Sequence, residues 1–496
     1  MRSKQTGTSR HLIVAMGAAL GLNGSWVVAV FQSLNIFAFF DESEPVLDAV
    51  YLVSIVAISL TLLIMGVFEH RAGQLLAWRP LLWLCAIVMG LSTALMPLGG
   101  LPAPEGGLVI AVAGVASGIS SGIVLMYLGM ALSRLSLHEA VASAAIGQIA
   151  SPVLFSLTLF LPSAGSLACA CLLPFLTAIA LHRTVALIHL GDGNEAIAPL
   201  NRQQAPEDAD EHRQIARLVF RIALCVGLVN FAHELMRTLY IQIDLVSSGN
   251  QLYAVVQCVA STGAIIGAVA IALAMMSVRT LAMPRLCYWG ITLFLMMGIL
   301  LGPAPLLFSR INSFVPYTVN QAADSCFGLF MRIMTAALCQ RFSSTRVRTF
   351  AFIRAGWALG PLAGLLLGRL ALTVGGLAPA TVYACMLVAV LAVFFAMGAV
   401  FNERVLMETM DILPLERRER FQDKCRHIIE RYGLSEREGE IMIMLAKGRN
   451  LAYIQEELFI SKSTVSTHRQ HIYKKLGIHS QQELLDLVQA VDPYGK

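Results

Sequence analysis

Up to about Val400 the chain is a succession of apolar runs broken by short polar connections, and beyond that point the runs stop. A helix that crosses a bilayer needs about 20 mostly apolar residues. Runs of that kind fall at 12–39, 47–67, 81–98, 108–132, 139–160, 165–182, 216–242, 251–277, 284–303, 313–339, 350–374 and 379–401. They predict twelve spanning helices within residues 1–401, as two groups of six (12–182 and 216–401) on either side of a polar linker, 183–215, that contains Pro206-Glu-Asp-Ala-Asp-Glu-His212. Residues 402–433 are strongly charged, with Ile412, Phe421, Ile428 and Ile429 loosely spaced, and read as a helical connector. From 434 to 491 short amphipathic periods bounded by capping residues and glycines predict a small four-helix domain. The expected fold class is all-α, a twelve-helix transmembrane bundle in a 6+6 arrangement followed by that domain.

Composition agrees: 57% of the 496 residues are hydrophobic and 14% charged, against about 25% charged in a soluble domain. A soluble globule is excluded. The connections on the side of the N-terminus carry Arg2, Lys4, Arg10, Arg71, Arg79, Arg134, Arg183, Arg279, Arg285, Arg341, Arg346 and Arg348, whereas the opposite side carries Arg310 and otherwise acids such as Asp41, Glu42 and Glu44. By the positive-inside rule the first side is cytoplasmic. An even number of spans puts both termini there, so a multi-pass protein of the cell membrane with its charged tail in the cytoplasm is expected. The N-terminus is basic and then apolar past Ala29 without a small-residue cleavage site in a polar flank, and reads as an uncleaved first span. Nine of the ten cysteines lie in the apolar part and Cys425 in the tail, none in a CxxC or Cys/His spacing. Packing is their expected role.

Six spans, a linker and six spans suggest a duplicated transporter architecture. Gly147-Gln-Ile-Ala-Ser-Pro152 in the fifth span and Gly356-Trp-Ala-Leu-Gly-Pro361 in the eleventh share a Gly-to-Pro spacing at corresponding helices of the halves. With the loop Gly66-Val-Phe-Glu-His70-Arg71-Ala-Gly73 after the second span, the chain resembles the major facilitator superfamily, whose members join two six-helix halves by a cytoplasmic loop. Gly66, Arg71 and Gly73 match that family's G-x-x-x-D-R-x-G-R-K signature, while His70 replaces the aspartate and Gln74-Leu75 the closing basic pair. The resemblance implies the fold; the departures put a working transport cycle in doubt.

Glycines recur every four residues at Gly114, Gly118 and Gly122 and at Gly356, Gly360, Gly364 and Gly368, giving small faces for close packing within the bundle or between two copies. Ionisable groups at membrane depth are costly and mark candidate sites. Asn230, His233, Glu234 and Arg237 share one face of the seventh span; Asp324 and Arg332 lie in the tenth, Arg354 and Arg369 in the eleventh, and Asn23, Trp26 and Gln32 in the first. Asn23, Trp26, Asn230, His233, Glu234, Arg237, Asp324 and Arg332 are the candidate ligand residues, with Trp26 placed to stack on an aromatic molecule. The competing reading makes Glu234 with Arg237, and Asp324 with another arginine, buried structural pairs. Arg221 and Arg354, near the cytoplasmic ends of their helices, are expected to reach toward the interface.

In the tail, Ser435 and Glu438 form a capping box that opens a helix bearing Ile441, Met442 and Leu445 and stopping at Gly448. A second helix covers about 451–458. Ser461 caps a third, with Val465, His468, Ile472 and Leu476 toward the core, ending at Gly477. Between Ser461 and Gln482 the charges are Lys462, Arg469, Lys474 and Lys475, with no acid. Such a helix suits the DNA major groove, with short polar groups on base edges and bases on phosphates. A fourth helix, about 481–491, offers Leu484, Leu487 and Val488 as an apolar edge for pairing.

Leu434-Ser-Glu-Arg-Glu438-Gly-Glu440-Ile, Gly448, Ile454, Leu458, Ile460-Ser461-Lys-Ser-Thr464-Val465, His468, Ile472 and Lys475-Leu476-Gly477-Ile478 resemble the LuxR-type (NarL/FixJ-type) DNA-binding domain over some 55 residues. The resemblance implies a four-helix module that binds double-stranded DNA as a homodimer. It departs where Tyr453-Ile454-Gln455 replaces the usual Glu-Ile-Ala, and where Ser466 replaces a lysine that contacts DNA in relatives. The candidate DNA-binding residues are Lys462, Thr464, Val465, Ser466, Thr467, His468, Arg469, Gln470, Lys474 and Lys475.

No nucleotide loop, metal cluster or nucleophile constellation is recognisable, so neither an enzyme nor a cofactor is expected. Two readings remain: a membrane-embedded transcription regulator that answers a small molecule, or a secondary transporter with a regulatory DNA-binding tail.

Overall fold

The structure is a computed structural model that describes residues 2–31, 33, 35–37, 43–78, 80–102, 104–191, 209–276, 282–302, 314–341, 345–412, 424–425, 427–429, 431–446, 448–449, 451–458 and 461–490. No β-strand occurs among them. The chain divides into two compact units, Met1–Met407 and Glu408–Lys496.

The first unit contains α1 (Arg2–Phe31), α2 (Ser43–Val67), α3 (Glu69–Ala77), α4 (Pro80–Leu95), α5 (Glu105–Leu132), α6 (Leu137–Leu159), α7 (Ser163–Gly191), α8 (Ala209–Met276), α9 (Ala282–Leu300), α10 (Phe314–Arg341), α11 (Arg346–Gly375) and α12 (Pro379–Phe395). Only helices satisfy all their backbone groups internally, which is why apolar runs in lipid take this form. Among the described residues ten helical stretches are long and apolar enough to span a membrane; the expected eighth and ninth spans appear as the shorter apolar stretches Thr262–Leu273 and Arg285–Leu300. The linker is shorter than expected at both ends, since α7 runs on to Gly191 and α8 starts at Ala209, while 192–208 lie outside the described residues.

The seventh and eighth expected spans are one helical element, α8. His233 bonds Asn320 at 3.0 Å, and a Cβ on Gly263 would stand 2.9 Å from Thr318. Thirty residues of straight helix cover about 45 Å, yet both positions meet the same turns of α10. The element therefore doubles back between them.

Glycine decides which helices touch. A Cβ on Gly21 of α1 would come within 2.7 Å of Ala150 on α6, one on Gly118 of α5 within 2.6 Å of Ala57 on α2, and one on Gly364 of α11 within 2.5 Å of the Phe231 carbonyl on α8. In span order the seams join one with five, two with four, seven with eleven and, through Gly263, eight with ten. The second half repeats the contacts of the first, and the small faces pack within the bundle.

Polar groups close the ends. Arg369 pairs with Asp48, and Arg285 with Glu403. After α12 the chain makes one π-helical turn, Ala396–Val400, whose freed carbonyls take bonds from Arg221 Nε to Val400 at 2.8 Å and from Tyr288 Oη to Met397. Arg221 thus satisfies backbone as well as reaching outward. The helix α13 (Glu403–Ile412) crosses the boundary between the units.

The second unit contains α14 (Glu436–Ala446), α15 (Leu451–Leu458), α16 (Lys462–Leu476) and α17 (Gln481–Ala490) around one apolar core. Cys425 and Ile428, expected in the connector, are 0% exposed and belong to that core.

Replacing Gly364 by Val drives two methyl groups into the α8 backbone. We expect a loss of about 1–3 kcal/mol, seen as a lower thermal midpoint of the purified full-length protein, whereas Gly290→Ala, where a Cβ meets nothing within 4 Å, should change little. Equal midpoints for both variants would refute the seam.

Candidate functional site

In the membrane unit a cavity of about 320 Å3 opens between the two halves. Asn23 of α1, Tyr51 of α2 and Gln148 of α6 line it from the first half; Asn230, His233 and Glu234 of α8, Gln321, Asp324 and Arg332 of α10, and Arg354 and Trp357 of α11 line it from the second. Six of the eight candidate ligand residues are brought together in this way.

Trp26 and Arg237 are not part of the lining. Trp26 is 0% exposed, its indole Nε1 donating to Thr93 Oγ1 on α4 at 3.0 Å and its ring edge-on to Phe31; it is a packing residue with no face to offer a ligand. Arg237 forks onto Glu234, Nε to Oε2 at 3.0 Å and Nη2 to Oε1 at 2.7 Å, with Tyr51 5.9 Å away. At 3% and 6% exposed, Glu234 and Arg237 form the buried pair that the structural reading expects.

The rest of the cavity is not self-satisfied. Gln321 Oε1 and Asp324 Oδ1, one turn apart on α10, and Arg354 Nε on α11 are buried atoms without a hydrogen-bond partner. Arg332 donates to Gln148 Oε1 at 3.2 Å across the halves. Asn320 Nδ2 donates to His233 Nδ1 at 3.0 Å, so a neutral ring carries its proton on Nε2. Arg354 lies 5.4 Å over the Trp357 ring. It was expected to reach the interface, but α11 begins at Arg346, earlier than the apolar run suggests, and sets Arg354 two turns into the helix.

In the second unit Ser461 caps α16 by accepting from the Thr464 amide at 3.1 Å, and Gly477 ends it at φ 69°, a left-handed conformation suited to glycine. Ser463, Thr467, Gln470 and Lys474 are exposed at i, i+4, i+7 and i+11 and form one polar stripe; Thr464 and His471 flank it, and Ser466, His468 and Arg469 are half-buried. Arg469 lies 6.0 Å over the Tyr473 ring. The side chain of Lys462 lies outside the described residues. Ser463 and His471 were absent from the candidates, although their helical spacing from Thr467 and Gln470 would have found them.

Two candidates serve the module itself. Val465 is fully buried in the core. Lys475 donates to Glu438 Oε2 at 2.6 Å and to the Gly433 carbonyl at 3.2 Å, which ties α16 to the start of α14. Glu438 also accepts from the Ser435 amide at 2.8 Å. The Lys475 ammonium first, and that amide second, hold the Glu438 carboxyl down at about 2.

Residues 433–488 match the family described as bacterial regulatory proteins, luxR family. The oxygen regulatory protein NreC of Staphylococcus aureus (strain JH9) is 47% identical over 53 residues, 11% of this chain and 24% of that protein; the version from strain Mu3 matches to the same extent. The match thus spans about a quarter of that relative's length. Over the membrane unit, the crystal structure of a bacterial homologue of the iron transporter ferroportin, in an outward-facing state with soaked iron, is similar at a TM-score of 0.56 and 13% identity, covering 81% of this chain and 99% of the other. The major facilitator proton:xylose symporter XylE follows at 0.54 and 14%, covering 81% and 97%. The C-terminal segment is a LuxR-type helix-turn-helix domain, and the chain before it has the major facilitator fold.

A depressed carboxyl pKa stabilises the folded state above the ordinary glutamate range, and that contribution is lost as pH falls toward the folded value. The fragment 408–496 should therefore lose part of its stability between about pH 5 and pH 2 through Glu438. Circular dichroism melts of Glu438→Gln should be less stable at neutral pH and flatter across that window; a curve parallel to the parent's would contradict the latch.

Proposed function

We propose that the protein is a membrane-embedded transcription regulator that binds DNA through its C-terminal domain in response to a small molecule held in the central cavity of its membrane unit. The observation that carries this is the cavity's divided polar lining. One buried pair, Glu234 and Arg237, is complete, while the acceptors of Gln321 and Asp324 and the donor of Arg354 have no protein partner. Leaving such groups unsatisfied costs about 1–3 kcal/mol each, which a ligand recovers by binding. It should offer hydrogen-bond donors toward α10 and an acceptor or negative charge toward Arg354.

The ligand acts only through its different affinity for two arrangements of the bundle. Residues 402–433 carry the change to the DNA-binding domains, which act as a homodimer on double-stranded DNA in the cytoplasm; the excess of basic residues in the connections on the tail's side supports that orientation. In each copy Ser463, Thr467 and Gln470 face base edges, and Arg469 and Lys474 hold phosphates. Lys475, occupied by Glu438, positions the recognition helix instead.

The alternative is a secondary transporter that reports its own flux. The fold favours it; the altered loop at His70 and Gln74, whose side chains bond one another at 3.0 Å, does not. Vesicle uptake of the inducing molecule separates the two, since a sensor binds without accumulating it.

Asp324→Asn and Arg354→Gln should each weaken the response to the inducing molecule roughly tenfold or more, the loss of one charged hydrogen bond, with membrane insertion and operator binding unchanged. A dose–response curve for both variants identical to the parent's refutes this cavity as the sensor. Lys474→Ala should lower the slope of log affinity against log salt by about 1 across DNA sequences; an unchanged slope removes Lys474 from the phosphate contacts.

A further inference from the structure

A second cavity, of about 660 Å3, lies along the side of the membrane unit between α8 and α11, with Leu63 of α2 at its edge. It is separate from the central cavity and shares no lining residue with it. Its walls are apolar, and Phe220, Leu224 and Leu359 are exposed along it, so the groove opens sideways, where a spanning unit meets lipid. Gly227, Gly356 and Gly360 line it where the backbones of α8 and α11 meet.

One end alone is polar. There Thr345, Arg348 and Thr349 line the groove, and none of its described lining residues is an acid. Thr345 is the N-cap residue of α11, a helix of 30 residues, and makes no side-chain cap bond. It is 8% exposed, and its hydroxyl has no hydrogen-bond partner. The first amides of a helix point outward without intrahelical partners and carry a partial positive charge, which makes a helix start of this kind an anion site. Arg348 adds a full charge, its guanidinium 5.9 Å over the Phe352 ring at the top of the apolar part. From Phe352 to Ala363 the apolar wall runs twelve residues, eleven helical rises or about 16 Å, close to one leaflet of a hydrocarbon core roughly 30 Å thick.

A single anion site above a leaflet-deep apolar shaft fits one kind of molecule in a bilayer. We propose that the groove binds an anionic phospholipid, with the headgroup phosphate at the start of α11 between Thr345 and Arg348 and an acyl chain along α8 and α11. Close by, a Cβ on Gly66 of α2 would stand 3.3 Å from Ala351 and Phe352, so the lipid sits beside a seam between the two halves. Its occupancy weights one arrangement of the halves over another, and the membrane's anionic lipid content tunes the unit without entering the central cavity.

The test uses the purified full-length protein in nanodiscs of phosphatidylcholine, alone or with phosphatidylglycerol, read by thermal midpoint and by the lipid retained in native mass spectrometry. Phosphatidylglycerol should raise the midpoint and remain as one tightly held molecule per chain. Arg348→Gln and Thr345→Val should each weaken the apparent affinity for it, roughly tenfold or more for the arginine. Leu359→Trp, which fills the shaft, should remove the effect, as should Leu224→Trp from the opposite wall. All four variants should match the parent in phosphatidylcholine alone; one that does not is set aside in favour of the others. The proposal is overturned if the phosphatidylglycerol effect survives in the properly folded variants, if phosphatidylcholine is retained equally, or if inorganic phosphate or glycerol phosphate reproduces the shift.

Discussion

Helices in a bilayer gain nothing from hiding apolar surface from one another, so the membrane unit depends on backbone contact at glycine. Gly360 and Gly364 let α11 settle onto the carbonyls of Gly227 and Phe231, and Gly21 and Gly147 do the same for α1 and α6. These seams are tighter than branched side chains allow, and they recur at equivalent pairs of the two halves. The seams set the helix positions, and some polar atoms on α10 and α11 are left without a protein partner.

The buried polar groups fall into two kinds. Glu234 and Arg237 neutralise each other with two good hydrogen bonds on one helix, and removing either would leave a charge stranded. Asp324, Gln321 and Arg354 present unmatched atoms from two helices, an arrangement that costs stability. The same distinction holds in the DNA-binding domain. Lys475 and Glu438 belong to the scaffold, whereas Ser463, Thr467, Gln470 and Lys474 are exposed along α16.

The fold class was legible because long apolar runs and capped amphipathic periods are local signals. The capping residues Ser435 and Ser461 and the stop at Gly477 fall where their chemistry places them. The direction in which a polar side chain points was not legible. Trp26 turns to Thr93, sixty-seven residues away, and only the tertiary arrangement that brings α4 within its reach decides that. Arg354 lies deeper than hydropathy suggests because α11 starts at Arg346, whose charge delays the apolar signal. Cys425 and Ile428 join the domain core although their spacing is too loose to announce a helix face. Lys475 reads as one more base in an acid-free stretch, and its acid partner, Glu438, lies 37 residues earlier in sequence.

The charge left for DNA bears on how the proposed switch operates. With Lys475 committed to Glu438 and Ser466 in place of a lysine, Arg469 and Lys474 are the bases that α16 offers among its described side chains. Each phosphate neutralised adds a nearly fixed increment to the salt-dependent part of affinity, so in the proposed switch two domains acting together would hold DNA more tightly than one. Pairing is then the efficient point of control. A ligand that changes how readily two copies present their domains together changes occupancy steeply, without any rearrangement inside the domain that reads the sequence.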